Sequence, residues 1–188
     1  MAAPQSNNPL AAFGKLTELR QRLLFVVGAL IVFRLGSFIP VPGVNPEAMT
    51  RMIEQGGGLL NMFNMFSGGA LARYSLFALG VIPYISASIV VQMMGSVVPA
   101  WQQLKKEGQA GQRILTKYTR WGTVGLAAFQ AFSAAVMLQK MGASGGVPIV
   151  YDPGFGFIFA SVIGLTAGTM FLMWLGEQIT ERGVGNGI

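Results

Sequence analysis

The 188-residue chain carries thirteen Lys and Arg against seven Asp and Glu, a formal net charge of +6, with no Cys and no His. Only 11% of its residues are charged and 52% are hydrophobic, where soluble domains have about a quarter charged, so the composition is that of a membrane protein. The missing Cys and His exclude disulfides, thiol and imidazole chemistry and ordinary zinc sites, and the basic residues lie between apolar runs rather than along one soluble face, which argues against nucleic-acid binding.

Residues 1–22 read as a cytosolic leader. Leu10, Phe13, Leu16 and Leu19 recur every three residues among Lys15, Glu18, Arg20 and Arg22, a pattern for a short amphipathic helix on the membrane surface. The first span is expected over 23–41, with the core LLFVVGALIVF ending at Arg34. A basic leader before a short apolar core also outlines a signal peptide. No small-x-small cleavage pattern follows in RLGSFIP, so an uncleaved helix is expected. Arg34 lies in the outward half of this span, where a central charge costs ~2.5–3.5 kcal/mol. It either snorkels to the outer interface or has an internal partner.

An external loop follows over 42–58, and then the segment that breaks the pattern. Met62–Phe66 is apolar but far too short to cross a bilayer, and Gly68, Gly69 and Arg73 follow it. A helix over 62–72 would reach roughly 16 Å, about half of a ~30 Å hydrocarbon core. Non-helical backbone at membrane depth persists only where protein or a water-filled cavity satisfies its polar groups. The segment therefore predicts a cavity with a short element lying in it. Neither glycine cluster, 56–58 or 68–69, is a phosphate loop, because no G-K-[ST] follows.

The second span is expected over 75–98, inside an uncharged run from Tyr74 to Leu104, with Pro83 bending it. A basic loop over 99–120 carries Lys105, Lys106, Arg113, Lys117 and Arg120. The third span, 121–139, bears a stripe of Ala127, Ala131 and Ala135; the fourth, 153–176, follows an external loop over 140–152 and bears Gly164 and Gly168. Both small-residue rows predict close helix packing. Residues 177–188 return to the cytosol, with Glu177 and Glu181 on one helix face as solvated interface charges. The Lys and Arg distribution puts the N-terminus in the cytosol, and Trp101, Trp121 and Trp174 then fall at or near cytosolic interfaces.

A serine–histidine protease cannot be built without histidine. A secondary transporter of a small solute also uses broken helices. It should show an ionisable or polar cluster at mid-depth, where spans two to four offer only Ser86, Ser88, Gln92 and Gln130. Channel and transporter both remain open on the residues alone.

Five blocks carry a family resemblance: FRLGSFIPVPGV (33–44), FNMFSGGAL (63–71), SLFALGVIPYISASIVVQ (75–92), KKEGQAGQR (105–113) and TMFLMWLGEQITERGVGNGI (169–188). In order and spacing the chain resembles the bacterial SecY family, the central subunits of the Sec protein-translocation channel. The resemblance implies an all-α polytopic membrane protein of ten transmembrane helices in an inverted-repeat (5+5) arrangement. This chain would supply four transmembrane helices plus a short plug helix, and 177–188 would begin the loop toward the fifth.

The implied plug is Leu59, Leu60, Asn61, Met62, Phe63, Asn64, Met65, Phe66, Ser67, Gly68, Gly69, Ala70, Leu71 and Ala72. Val81 and Ile85 would belong to an aliphatic pore ring, a constriction that excludes water yet yields to a polypeptide. Ser86, Ile89, Val90 and Gln92, with Gln130, would line a lateral gate toward lipid. The resemblance further implies a non-enzymatic conduit in the bacterial cytoplasmic (inner) membrane, with no catalytic residue, metal or cofactor. Unfolded polypeptides bearing a signal sequence would pass across it, and transmembrane segments would leave it sideways into the lipid bilayer. Implied partners are the SecE and SecG subunits, the SecA ATPase, the ribosome and YidC. A chain of this length also fits a truncated nascent client of such a channel.

Overall fold

The computed structural model describes residues 9–144, 148–185 and 187, with the side chains of 9–15 and 142–144 left out. Among the described residues there are seven helices and no strand: α1 (Pro9–Gly36), α2 (Pro46–Gln55), α3 (Gly58–Phe66), α4 (Ile82–Val97), α5 (Pro99–Lys106), α6 (Gln109–Ser144) and α7 (Phe155–Arg182). Two are long and apolar enough to cross a membrane, α6 over Gln109–Met141 and α7, while α4 and α5 qualify together but are bent by 100° at their junction. The described residues are thus all-helical, with two or three candidate spans. In α1 the charge-free stretch Leu23–Phe33 is bracketed by Arg22 and Arg34, a clean length of about 16 Å.

The expected surface helix and first span form one continuous helix. The leader before Pro9 and the side chains of Leu10 and Phe13 lie outside the described residues. At the end of α1 the Phe77 ring presses against the Gly36 backbone, where any Cβ would overlap it. The chain then turns through Ser37–Ile39, so 37–41 is not helical.

Helices α6 and α7 run antiparallel: Arg120 near the start of α6 meets Glu177 near the end of α7, and Gln139 near the end of α6 donates to the Gly154 carbonyl just before α7. Ala127, Ala131 and Ala135 are fully buried, and α6 packs on both α7 and α4. Small side chains let these backbones approach closely. Gly164 and Gly168 serve a different neighbour. A Cβ on Gly168 would overlap the Leu76 carbonyl, and one on Gly164 would lie 3.0 Å from Leu76 Cδ2. The glycine pair seats a run of turns over 67–81, not another helix.

Helix α4 accordingly starts at Ile82, seven residues beyond the expected start of the second span. Pro83 sits in its first turn, where a missing N–H costs nothing. It begins the helix and does not bend it. The bend falls at Pro99, with Val98 extended (ψ 119°), as the residue before a proline prefers. Helix α5 folds back so that Lys105 Nζ donates to the Gln92 carbonyl at 3.1 Å and Gln102 Nε2 to that of Ser96 at 2.6 Å. The basic loop 99–120 is therefore mostly helical, made of α5, a turn at Gly108 and the start of α6, with Trp101 stacked on Tyr118.

At the opposite end α2 forms a cap. Asn45 Oδ1 accepts from the Glu47 and Ala48 amides and Pro46 opens the helix. Ala48, Met49 and Ile53 are buried in a cluster with Leu138, Ile149, Val150, Tyr74 and Phe157. Full burial of Met49 and Ile53 contributes about 1.5–3 kcal/mol each. Main-chain bonds staple this cap down: Val41 N to Tyr74 O (3.0 Å), Leu76 N to Ile39 O (3.0 Å) and Asn45 N to Ile149 O (2.8 Å).

Candidate functional site

Helix α3 is the short element, and it is held along one side only, where Leu60 packs against the core cluster. It is wholly uncharged, none of its side chains is buried, and its backbone packs against α2 but no other helix. Met65 and Phe66 are 76% and 77% exposed. Helix α3 is thus an uncharged helix with most of its apolar side chains exposed.

The return from α3 is tightly knitted. Ser67 Oγ donates to the Asn64 carbonyl and accepts from the Leu71 amide, while Asn64 Oδ1 accepts from the Ala72 amide at 2.9 Å. Gly68 (φ +63°) and Gly69 (φ +83°) take the left-handed backbone these turns need. Tyr74 takes φ +45°, the one non-glycine residue in that region among those described, and such a conformation costs about 1–2 kcal/mol. It is held there by its buried ring and by the Val41 amide on its carbonyl. Burial pushes the Tyr74 phenol up to about 12, so it stays neutral.

Arg34 has an internal partner. Its Nη1 donates to the Gly68 carbonyl at 2.9 Å, and its guanidinium lies over the Phe38 ring, 5.3 Å from the centroid. Arg73 lies over the same ring at 4.1 Å. The fully buried Ser37 donates through Oγ to the Arg34 carbonyl at 2.7 Å and fixes the end of α1.

Val81 caps the start of α4 and its carbonyl accepts the Ile85 amide. It packs against Ala70, Phe77 and Leu172, and with Phe66, Ser67 and Phe33 it lines a cavity of about 290 Å³ between α1, α7 and the return loop. The short segment and Val81 therefore share one cavity wall. Ile85, one turn further along α4, is 43% exposed and lies outside that wall. Of the positions read as a gate, Ile89, Val90 and Gln92 are exposed, Ser86 and Gln130 are half-buried, and Gln92 Nε2 donates to Ser88 Oγ.

Three residues that no spacing argument singles out hold this region together. Phe33, Phe77 and Phe171 form a parallel stack, with centroids 5.9 and 5.8 Å apart, that ties α1 and α7 to the turns before α4. Offset aromatic pairs contribute about 0.5–1.5 kcal/mol each beyond burial. Their side chains come from three distant stretches of sequence, so only the fold reveals them.

At the α5 end, Arg120 grips Glu177 with both prongs, Nε to Oε1 at 3.2 Å and Nη2 to Oε2 at 2.7 Å. Glu177 is thus ion-paired and not merely solvated. Glu181 lines a polar pocket of about 460 Å³ with Tyr84, Ser88, Thr116 and Thr180. The pair is partly exposed and contributes at most about 1 kcal/mol; its effect is to fix the register of α6 against α7. Replacing Glu177 with Gln is expected to lower stability by less than about 1 kcal/mol, read as a small shift in detergent-solubilised thermal unfolding. A large loss would mean that the pair carries the helix packing. Among the described residues no group of three acidic, Cys or His side chains is placed to hold a metal.

A family model described as SecY matches residues 75–188. The chain is 57% identical over 179 residues to the protein translocase subunit SecY of Buchnera aphidicola subsp. Acyrthosiphon kondoi, covering 95% of this chain and 50% of that protein. It is 56% identical to the protein of the same name from Escherichia coli strain K12, over 95% of this chain and 40% of that protein. The Haemophilus influenzae protein of that name is 60% identical over 91% of this chain and 38% of its own length. The chain thus spans about half or less of the length of these curated relatives.

Proposed function

The chain belongs to the SecY family, and from that premise we propose that it supplies the first part of a protein-conducting channel in the bacterial cytoplasmic membrane. In this reading its N-terminus is cytosolic and α1, α4, α6 and α7 are four of ten transmembrane helices in two inverted halves. The segment Leu59–Ala72 is a plug, Val81 and Ile85 belong to the ring at the pore's narrowest point, and α4 forms one wall of a lateral gate. Energy comes from outside, from the SecA ATPase or a translating ribosome, while SecE, SecG and YidC are neighbours in the membrane.

The observation that carries this reading is the cavity shared by Phe66, Ser67 and Val81. A bare apolar helix hangs from glycine-rich joints beside an aliphatic residue at the mouth of a candidate span. A channel needs both parts, an obstruction that can be displaced and a dry constriction that opens only for a passing chain. Apolar segments would leave sideways because lipid solvates them better than a wet interior.

Crosslinking tests the placement. With Phe66→Cys in the full-length channel and a single cysteine in a stalled substrate, a disulfide adduct is expected at one or more stall lengths. Absence of any adduct across a series of stall lengths would remove Phe66 from the translocation path.

A further inference from the structure

Arg34 is the one charge between Arg22 and Glu47, and it ends a helix whose preceding eleven residues are apolar. A cation in the last turn of a helix is favoured by the helix dipole, so that position suits it without any partner. The side chain nevertheless reaches across 34 residues of sequence to one main-chain oxygen, Gly68 O, two residues past the end of α3. Gly68 faces α1: a Cβ there would meet Phe33 Cε1 at 3.6 Å and Arg34 Nη1 at 3.8 Å.

Every other side-chain hydrogen bond described on Asn64–Ala72, apart from that of Thr50 to the Ala72 carbonyl, is internal to the segment. The guanidinium is thus a principal tie between the end of α3 and α1.

We propose that Arg34 is a latch that holds the plug segment in its seat, a reading that rests on the channel function proposed above. The guanidinium makes a charge-assisted bond to a carbonyl, the stronger kind of hydrogen bond. Its acceptor is main chain, so the hold does not depend on the side chains of the plug. The bond sits at the exit of α3 and not within it, so breaking it releases that end from α1 while the bonds internal to the return stay in place. Phe38 keeps the guanidinium in place, and Arg73, over the same ring, draws the other end of the return loop to the same spot. Arg34 acts through the position of the segment and is a positioning residue.

The test uses the full-length channel in planar bilayers, with resting ion conductance and export of a substrate with a defective signal sequence as readouts. Arg34→Leu keeps bulk and removes the donor; conductance and defective-signal export should each rise about fivefold, the scale of one net hydrogen bond. Arg34→Lys, which keeps a cationic donor, should restore most of the tightness. Joining Leu30→Cys and Phe66→Cys, which face the same cavity, with a short bis-maleimide should suppress the leak of Arg34→Leu.

If Arg34→Leu stays as tight as the parent while Val81→Lys leaks, the latch is wrong and the channel reading stands. If Val81→Lys is tight as well, the channel reading itself fails. Should Arg34→Leu not accumulate, Phe38→Leu removes the ring that seats the guanidinium and should give a smaller rise; unchanged conductance there overturns the latch.

Discussion

Val81→Lys or Ile85→Lys in the full-length channel is expected to turn a sealed pore into an ion leak. A ring of aliphatic side chains keeps ions out by being too apolar to hold a continuous file of water. A charged side chain at such a depth carries an unfavourable free energy of ~2.5–3.5 kcal/mol unless water follows it. If the barrier to wetting falls by even half of that, ion passage rises about tenfold, since ~1.4 kcal/mol is one decade.

The two positions should differ. Val81 is half-buried against Phe77 and Leu172, so Val81→Lys should also reduce accumulation of the protein. Ile85 is exposed in this chain, and its substitution should spare stability. Single-channel recording decides the matter: conductance equal to the parent in both variants would remove Val81 and Ile85 from the constriction.

Gly168→Val is expected to be the most destabilising substitution considered, at about 3 kcal/mol or more, the upper range for overpacking. The atom a Cβ would strike is the Leu76 carbonyl, held in place by the Leu76 amide on Ile39 and by the Gly168 backbone beneath it. Main chain cannot swing aside as a side-chain tip can. Gly164→Val should cost less, because its neighbour is the Leu76 methyl group. Gly125→Val, with nothing within 4 Å, is the control. Thermal unfolding in detergent should rank them Gly168, Gly164, Gly125; equal midpoints for Gly168→Val and Gly125→Val would contradict the close approach.

Composition alone made the membrane class legible, and the five sequence blocks carried the family. The hydrophobic runs marked α6 and α7 because each is long and bounded by charge. The short segment was legible at Met62–Phe66 through its length, but its helix, expected over 62–72, runs Gly58–Phe66 because Gly68 and Gly69 take left-handed backbone and 67–72 is turned. What escaped was the stretch 75–81, SLFALGV, which is apolar enough to pass for helix. It is turned instead because Gly164 and Gly168 offer a flat seat and because Tyr74 and Gly80 adopt left-handed backbone. Those choices depend on contacts between residues some ninety positions apart, beyond any local pattern.

Pro83 was read as a bend because prolines within apolar runs often are bends; once the helix starts at Ile82, the same proline becomes its opening. Arg34 left two readings open, since hydropathy reports the cost of a charge and not the location of its acceptor.

The staples on either side of α3 limit how it can travel. On one side only Gly56 and Gly57 separate it from α2, whose Met49 and Ile53 are anchored in the cap. On the other side the chain is pinned again at Tyr74 and Leu76, leaving the seven residues Ser67–Arg73, compacted by their own hydrogen bonds, between the two. Fully drawn out at ~3.4 Å per residue, those seven reach at most about 24 Å from the pinned end, and the nine-residue helix itself is about 14 Å long. With both ends held, the segment can turn about Gly57 only as far as those seven residues pay out once their own hydrogen bonds are undone. Covalent geometry forbids drawing the segment out bodily like a cork.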